Sequence, residues 1–156
     1  MAKKLAKISV KILLVFLLVF LANCSKISEE NRKEIFIDNG KNLIKIDAEI
    51  ADDKDELEKG LMFREKLEKN SGMLFIFKNE KYHAFWMKNM LIPLDMIFID
   101  NNLKIVDIKY ADPCRKNPCA IYTSSKPAEY VLEVNAGFTA ENSVNVDDRL
   151  ILNRTY

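Results

Sequence analysis

A lysine, an asparagine and an aspartate stand among apolar neighbours in the stretch Phe85 to Asp100, FWMKNMLIPLDMIFID. Lys88, Asn89 and Asp95, with Trp86 beside them and Arg64 upstream, are residue types suited to capturing a ligand. An indole supplies apolar contact, while an ammonium, an amide and a carboxylate fix orientation. The same residues admit an internal reading, in which Asp95 pairs with Lys88 or Arg64 and Asn89 satisfies the loop before Pro93. Buried polar side chains are usually there to be satisfied. Catalysis has less to stand on. The chain has one histidine, His83, no Ser-His-Asp pattern and no cluster with metal-ligand spacing. No metal and no cofactor is therefore expected. An enzyme would have to be a hydrolase using Asp95 as acid or base beside Lys88, which requires a perturbed pKa in a cleft.

Cysteine is the other reactive type. The chain has three. Cys24 follows a basic segment, residues 1–11, and an apolar run from Ile12 to Ala22, the two parts of an export signal. The run is about half of the ~20 residues that span a bilayer. Leu21-Ala22-Asn23-Cys24 resembles a bacterial lipobox, which implies lipidation of Cys24 and removal of residues 1–23. Cys114 and Cys119 then remain as a pair in PCRKNPC, and in an extracytoplasmic chain a disulfide is expected to persist. A structural staple is the plainer role. A redox dithiol is the sharper alternative, and the spacing is wider than C-x-x-C.

These residues need elements to position them. Met73 to Phe77 is a continuous apolar run of strand length, with turn residues Lys78 to Lys81 after it. Tyr82 to Met90 is a second extended candidate, with Trp86 and Lys88 on one face and Phe85 and Met87 on the other; both faces are apolar enough to need cover. Leu94 to Ile99 follows, with Asp95 pointing the same way as Ile97 and Ile99, and Asp100-Asn101-Asn102 turns the chain into Leu103 to Tyr110. Leu43 to Ile50 alternates as a half-exposed strand. Asp52 or Asp53 caps a short helix that ends before Gly60, placing Leu57, Leu61 and Met62 toward the core. Ala128 to Asn135 and Arg149 to Asn153 supply further strands, and Ala136 to Asn142 one helical turn. Six to eight short strands with one short helix predict a mostly β (α+β) fold, a compact antiparallel β-barrel or sandwich.

The 156 residues suffice for a single core. The formal charge is +1, but four lysines and no acid fall in the first 23 residues, so the remainder is net acidic. A basic stripe with interleaved aromatics is absent, and nucleic acid is not expected as a partner. The organisation expected is a signal peptide at 1–23, a polar tether at 24–33 spanning on the order of 17 Å, and one domain at 34–156.

Five ordered blocks carry a family resemblance: GLMFREKL (Gly60 to Leu67), GMLFIF (Gly72 to Phe77), FWMKNMLIPLDMIFID, PCRKNPCAIY (Pro113 to Tyr122) and KPAEYVLEVNAG (Lys126 to Gly137). The chain from about residue 34 to 152 resembles the bacterial and archaeal family of domain of unknown function 192. The resemblance implies a compact mostly-β barrel or sandwich and no established reaction. The chain departs from that pattern at Met90, where the family tends to have Thr, and at Asp147, where it tends to have Gly. A glycine there would suit a positive φ. The expected function is a lipid-anchored, extracytoplasmic, non-catalytic domain that binds a small ligand or envelope component. A docking module for another membrane or envelope protein is the alternative. In the binding reading, Trp86, Lys88 and Asp95 line one concave surface.

Overall fold

The computed structural model describes residues 31–152. The expected export signal, Cys24 and most of the expected tether lie outside them. Nine strands form: β1 (Arg32–Asp38), β2 (Leu43–Ala51), β3 (Ser71–Lys81), β4 (Ala84–Trp86), β5 (Leu94–Ile99), β6 (Ile105–Ala111), β7 (Ile121–Thr123), β8 (Ala128–Asn135) and β9 (Arg149–Leu152). Two short helices accompany them among the described residues, α1 (Lys54–Lys59) and α2 (Phe138–Glu141). None of the described helices is long and apolar enough to cross a membrane.

The fold is mostly β, as its alternating and apolar runs require. Seven strands make one sheet in the order β6-β5-β8-β3-β2-β1-β9, and β4 and β7 make a separate pair. The large sheet curls until its edges meet at one end. The Ile105 and Leu150 amides donate to the Asp148 and Leu103 carbonyls at 2.8 Å, and Lys104 bridges to Arg149. Asp147 takes a left-handed φ of 81° in this closure, with its amide donating to Ile105 at 2.9 Å. A side chain therefore occupies a conformation that glycine adopts most readily, and Lys104 pairs with its carboxylate at 2.8 Å.

One pairing departs from the antiparallel expectation. β2 and β3 run parallel, Asp47 opposite Ser71 through Ala51 opposite Phe75. The chain must return to the same end between them, and α1 with the following loop makes that crossover. Asp53 is its N-cap, accepting from the Glu56 amide at 2.8 Å, and the Glu56 carboxylate reaches back to the Asp52 amide. At the other end Gly60 has φ 48°, and a β-carbon there would stand 3.0 Å from the Phe75 ring.

The central strands are covered on both faces, which explains their unbroken apolar character. On the concave face, Ile35, Ile37, Ile46, Leu74, Ile97, Ile99, Leu132 and Val134 form one core, joined by Phe138 of α2. On the convex face, Met73, Phe75, Met96, Phe98 and Val131 form a second core beneath the 61–70 loop, β4 and the turn at Met87–Met90. The β4–β7 pair is anchored there through Phe85, whose ring meets Phe75, Phe77 and Phe98 edge-on at 5.4, 6.2 and 6.0 Å.

Two local expectations are corrected. β3 runs on through Lys78–Lys81 in place of turning there, with a register irregularity between Ile76 and Lys81. Of Tyr82 to Met90 only Ala84–Trp86 is strand, and only its Phe85 side is covered. Trp86 remains 45% exposed and its cross-strand partner Ile121 61% exposed. Within Ala84–Trp86 alternation separates Phe85 from Trp86 as expected. Beyond it the chain turns, so Met90, an even position like Trp86, is buried with Met87, and the cover expected on the Trp86 side is not there.

Candidate functional site

The turn that follows β4 sets the geometry. The Met90 amide donates to the Met87 carbonyl, and Asn89 sits at φ 61°. Asn tolerates this region because its short polar side chain interacts locally. The Asn89 carbonyl accepts from the Phe63 amide at 2.9 Å, and Phe63 is itself at φ 64° and largely exposed. A bulky residue at positive φ is an outlier that the surroundings must hold in place. Here the 61–70 loop and the Met87–Met90 turn hold each other.

Lys88 leaves this turn and lays its ammonium over the indole of Trp86, 5.1 Å from the ring centroid. Trp86, Lys88 and Asn89 line one cleft of about 480 Å³, whose other wall is the side of α1 carrying Asp55, Glu58 and Lys59. The Asn89 amide approaches the Met62 sulfur at 3.8 Å. A narrower cleft of about 190 Å³ continues from Trp86 and Met62 past Phe85 to His83. His83 stacks on Phe77 at 3.6 Å between ring centroids. Burial pushes its imidazole below the ordinary histidine pKa, against the pull of the Asn79 and Ala128 backbone. Its Nε2 is buried without a hydrogen-bond partner. Beyond His83 the groove widens to about 740 Å³, where Asp52, Asp53 and Glu58 stand in the same lining as Lys54, Lys78 and Lys81.

Asp95 is elsewhere. Its register row reads Ala48, Gly72, Val134, Asp95, Tyr110, which is the concave face, whereas Trp86 and Lys88 stand over the convex one. Its carboxylate accepts from the Gly137 amide at 3.2 Å, the Thr139 amide at 2.9 Å and the Thr139 hydroxyl at 2.7 Å. It therefore holds the start of α2 and does not join a surface with Trp86 and Lys88. Its strand position alone places it with Ile97 and Ile99. Only the docking of α2 decides what it meets. Arg64 is also committed: its guanidinium makes a bidentate pair with Glu49 of β2, 2.5 and 2.6 Å, beside the same loop.

Cys114 and Cys119 form a disulfide with a Cα separation of 5.4 Å. The Cys114 amide donates to the Met87 carbonyl at 3.0 Å, which seats the disulfide loop against the Lys88–Asn89 turn. A notch of about 210 Å³ lies between them, lined by Lys88, Asn89, Arg115, Lys116 and Asn117 with the two cysteines. Sequence reading missed Arg115 and Lys116. The available signal was two adjacent cations inside a loop short enough to be closed by its own cysteines.

Glu133 was missed as well. It stands in β8 between Met73 and Met96 on the convex face, 5% exposed, and burial pushes its carboxyl up to about 8. In the sequence it alternates with Leu132 and Val134 and looks like an outward residue of a half-exposed strand.

Comparisons with known proteins agree with this architecture. UPF0127 protein PF1050 of Pyrococcus furiosus is 30% identical over 116 residues, 71% of this chain and 90% of that protein. A solved structure described as a putative transcription regulator from Sinorhizobium meliloti 1021 is 35% identical with a TM-score of 0.71, covering 76% of this chain and 92% of that one. A protein of unknown function from Novosphingobium aromaticivorans is 28% identical with a TM-score of 0.71, covering 76% and 84%. The model of the DUF192 family, described as an uncharacterized ACR, matches residues 35–152, and the chain belongs to that family.

Proposed function

We propose that the protein is a lipid-anchored, extracytoplasmic binding domain that seats a small ligand or envelope component on Trp86, Lys88 and Asn89 without transforming it. The observation that carries the reading is the half-exposed Trp86 with the Lys88 ammonium over its ring, at the rim of a cleft. Leaving the one indole of the chain open to water forgoes the burial that such a ring supplies elsewhere. A planar or apolar body can lie on the indole, and the ammonium and the Asn89 amide can orient it. Asp95, the acid on which a hydrolase would depend, has its carboxylate engaged on the opposite face of the sheet. The basic leader, the apolar run and Cys24 support anchoring at a membrane. The Sinorhizobium relative is described as a putative transcription regulator; a nucleic-acid role here would need a basic stripe, and beyond its leader this chain is net acidic.

Trp86 reports on its own site because it is the single tryptophan. Titrating the full chain with a protein-free envelope extract is expected to shift and quench its emission, and Lys88→Ala with Asn89→Ala to abolish the response. An unchanged emission spectrum at saturating extract would refute small-ligand binding. The docking alternative has its own observation, since Phe63, Leu91 and Ile121 are exposed along with Trp86. It gains if Trp86 is quenched only by the protein fraction of the envelope. The anchor is tested by a fatty-acid analogue, which should label the wild type and spare Cys24→Ser.

A further inference from the structure

We infer that the notch between the Cys114–Cys119 loop and the Lys88–Asn89 turn receives a phosphate group. The inference deepens the binding reading and rests on it, because Lys88 and Asn89 serve both places.

Three cations, Lys88, Arg115 and Lys116, line this one notch, and no carboxylate does. The neighbouring cleft is different in kind, for there Asp55 and Glu58 stand with Lys59. None of the three cations has an ion-pair partner among the described residues, although Lys45, Arg64, Lys66, Lys104 and Lys109 each have one. The arrangement is also built. Arg115 and Lys116 both border the notch where the disulfide closes the loop on itself and the Cys114 amide fastens it to the Met87 carbonyl. Like charges gathered in a recess focus a positive potential and favour an anion that neutralises them.

The chemistry of the lining selects among anions. A guanidinium offers a planar fork that matches phosphate oxygens bidentately, and the two ammonium groups add point charges. Three positive charges suit a phosphate better than a single carboxylate. The amides of Asn89 and Asn117 can each donate to a phosphate oxygen. The notch, at about 210 Å³, is smaller than the neighbouring 480 Å³ cleft and open to solvent, so the body of a larger ligand extends out of it. The surface it would cross is the ring of Trp86, which Lys88 already overlies. The ligand class is therefore a phosphate ester with a planar or apolar body, and the phosphate could be that of a free solute or of a lipid headgroup.

The test uses the full chain carrying Cys24→Ser, labelled with nitrogen-15, at low ionic strength. Inorganic phosphate is expected to shift the backbone resonances of Asn89 and of Arg115 to Asn117 saturably, with affinity falling as salt rises. Arg115→Gln and Lys88→Gln should each weaken binding at least fivefold, while Lys45→Gln leaves it unchanged. The double variant Cys114→Ser, Cys119→Ser keeps every charge and should still lose at least fivefold, because the loop that carries Arg115 and Lys116 is no longer closed beside Lys88 and Asn89. Monomeric dihexanoyl phosphatidylglycerol supplies the second arm. Tighter binding than inorganic phosphate, dependent on Arg115, points to a headgroup; weaker binding points to a free phosphorylated solute; both support the site. Shifts scattered over the surface lysines, or unaffected by Arg115→Gln, would overturn it. If envelope extract shifts Trp86 emission while phosphate leaves these resonances in place, the phosphate site falls and the binding reading stands. Saturable phosphate binding with a silent Trp86 separates the two in the other direction.

Discussion

Replacing Glu133 with Gln should make this domain more stable at neutral and alkaline pH while leaving it nearly unchanged in acid. Glu133 lies between two methionines in the convex core, and burial raises its carboxyl from 4.5 to about 8. The sign follows from proton counting. Below pH 4.5 both folded and unfolded chains hold the proton, and the residue costs nothing extra. Between 4.5 and about 8 the unfolded chain has released a proton that the folded chain keeps, so stability falls as pH rises, by about 1.4 kcal/mol per unit. Above that window the loss levels off at roughly 5 kcal/mol. Water reaching the carboxylate through a shift of the Leu67 loop would trim this, so a gain of ~2–5 kcal/mol is expected for Glu133→Gln above about pH 8. Gln has nearly the same shape and no charge to desolvate, at the cost of burying an amide. Urea unfolding of both chains across the pH range measures the difference directly. Parallel stability curves for wild type and variant would refute the reasoning, since they would mean that the carboxyl titrates alike in both states.

The remaining predictions concern residues whose surroundings are equally specific. Gly72→Ala places a β-carbon 2.7 Å from the Glu133 carbonyl oxygen, backbone that cannot swing aside, and should cost about 1–3 kcal/mol in chemical denaturation; a loss within error would show that β3 and β8 can separate locally. Asp95→Asn weakens charge-assisted acceptance from the Gly137 and Thr139 amides and should lower stability by ~1–3 kcal/mol with Trp86 emission unaltered. A change at Trp86 without a loss of stability would reverse that assignment. The His83 ring, followed by proton NMR, should titrate with a midpoint below 6.5, because burial disfavours its charged form. Its contribution to stability is complete above 6.5 and is lost as pH falls, opposite in slope to that of Glu133. A midpoint at or above 6.5 would contradict its placement against Phe77.

What the sequence determined by itself was the class of fold, most of its elements and one pairing of side chains. The clean alternation of Ile44, Ile46, Ala48 and Ile50, the turn at Asp100–Asn102 and the cap at Asp53 are local signals, and local hydrogen bonding enforces them. The Cys114–Cys119 bridge was legible because, with Cys24 read as the lipidated residue, these two remain as a close pair in a chain read as exported, where disulfides persist. Tertiary structure decided everything that depends on which elements lie side by side. It made β2 and β3 parallel through the α1 crossover, left the Trp86 side of β4 bare, and put Asp95 on the face opposite Lys88. It also buried Glu133, which alternation had placed outside, because the 61–70 loop folds over the convex face of β8. Period two says which residues share a face of a strand; it carries no information about what the rest of the chain lays upon that face.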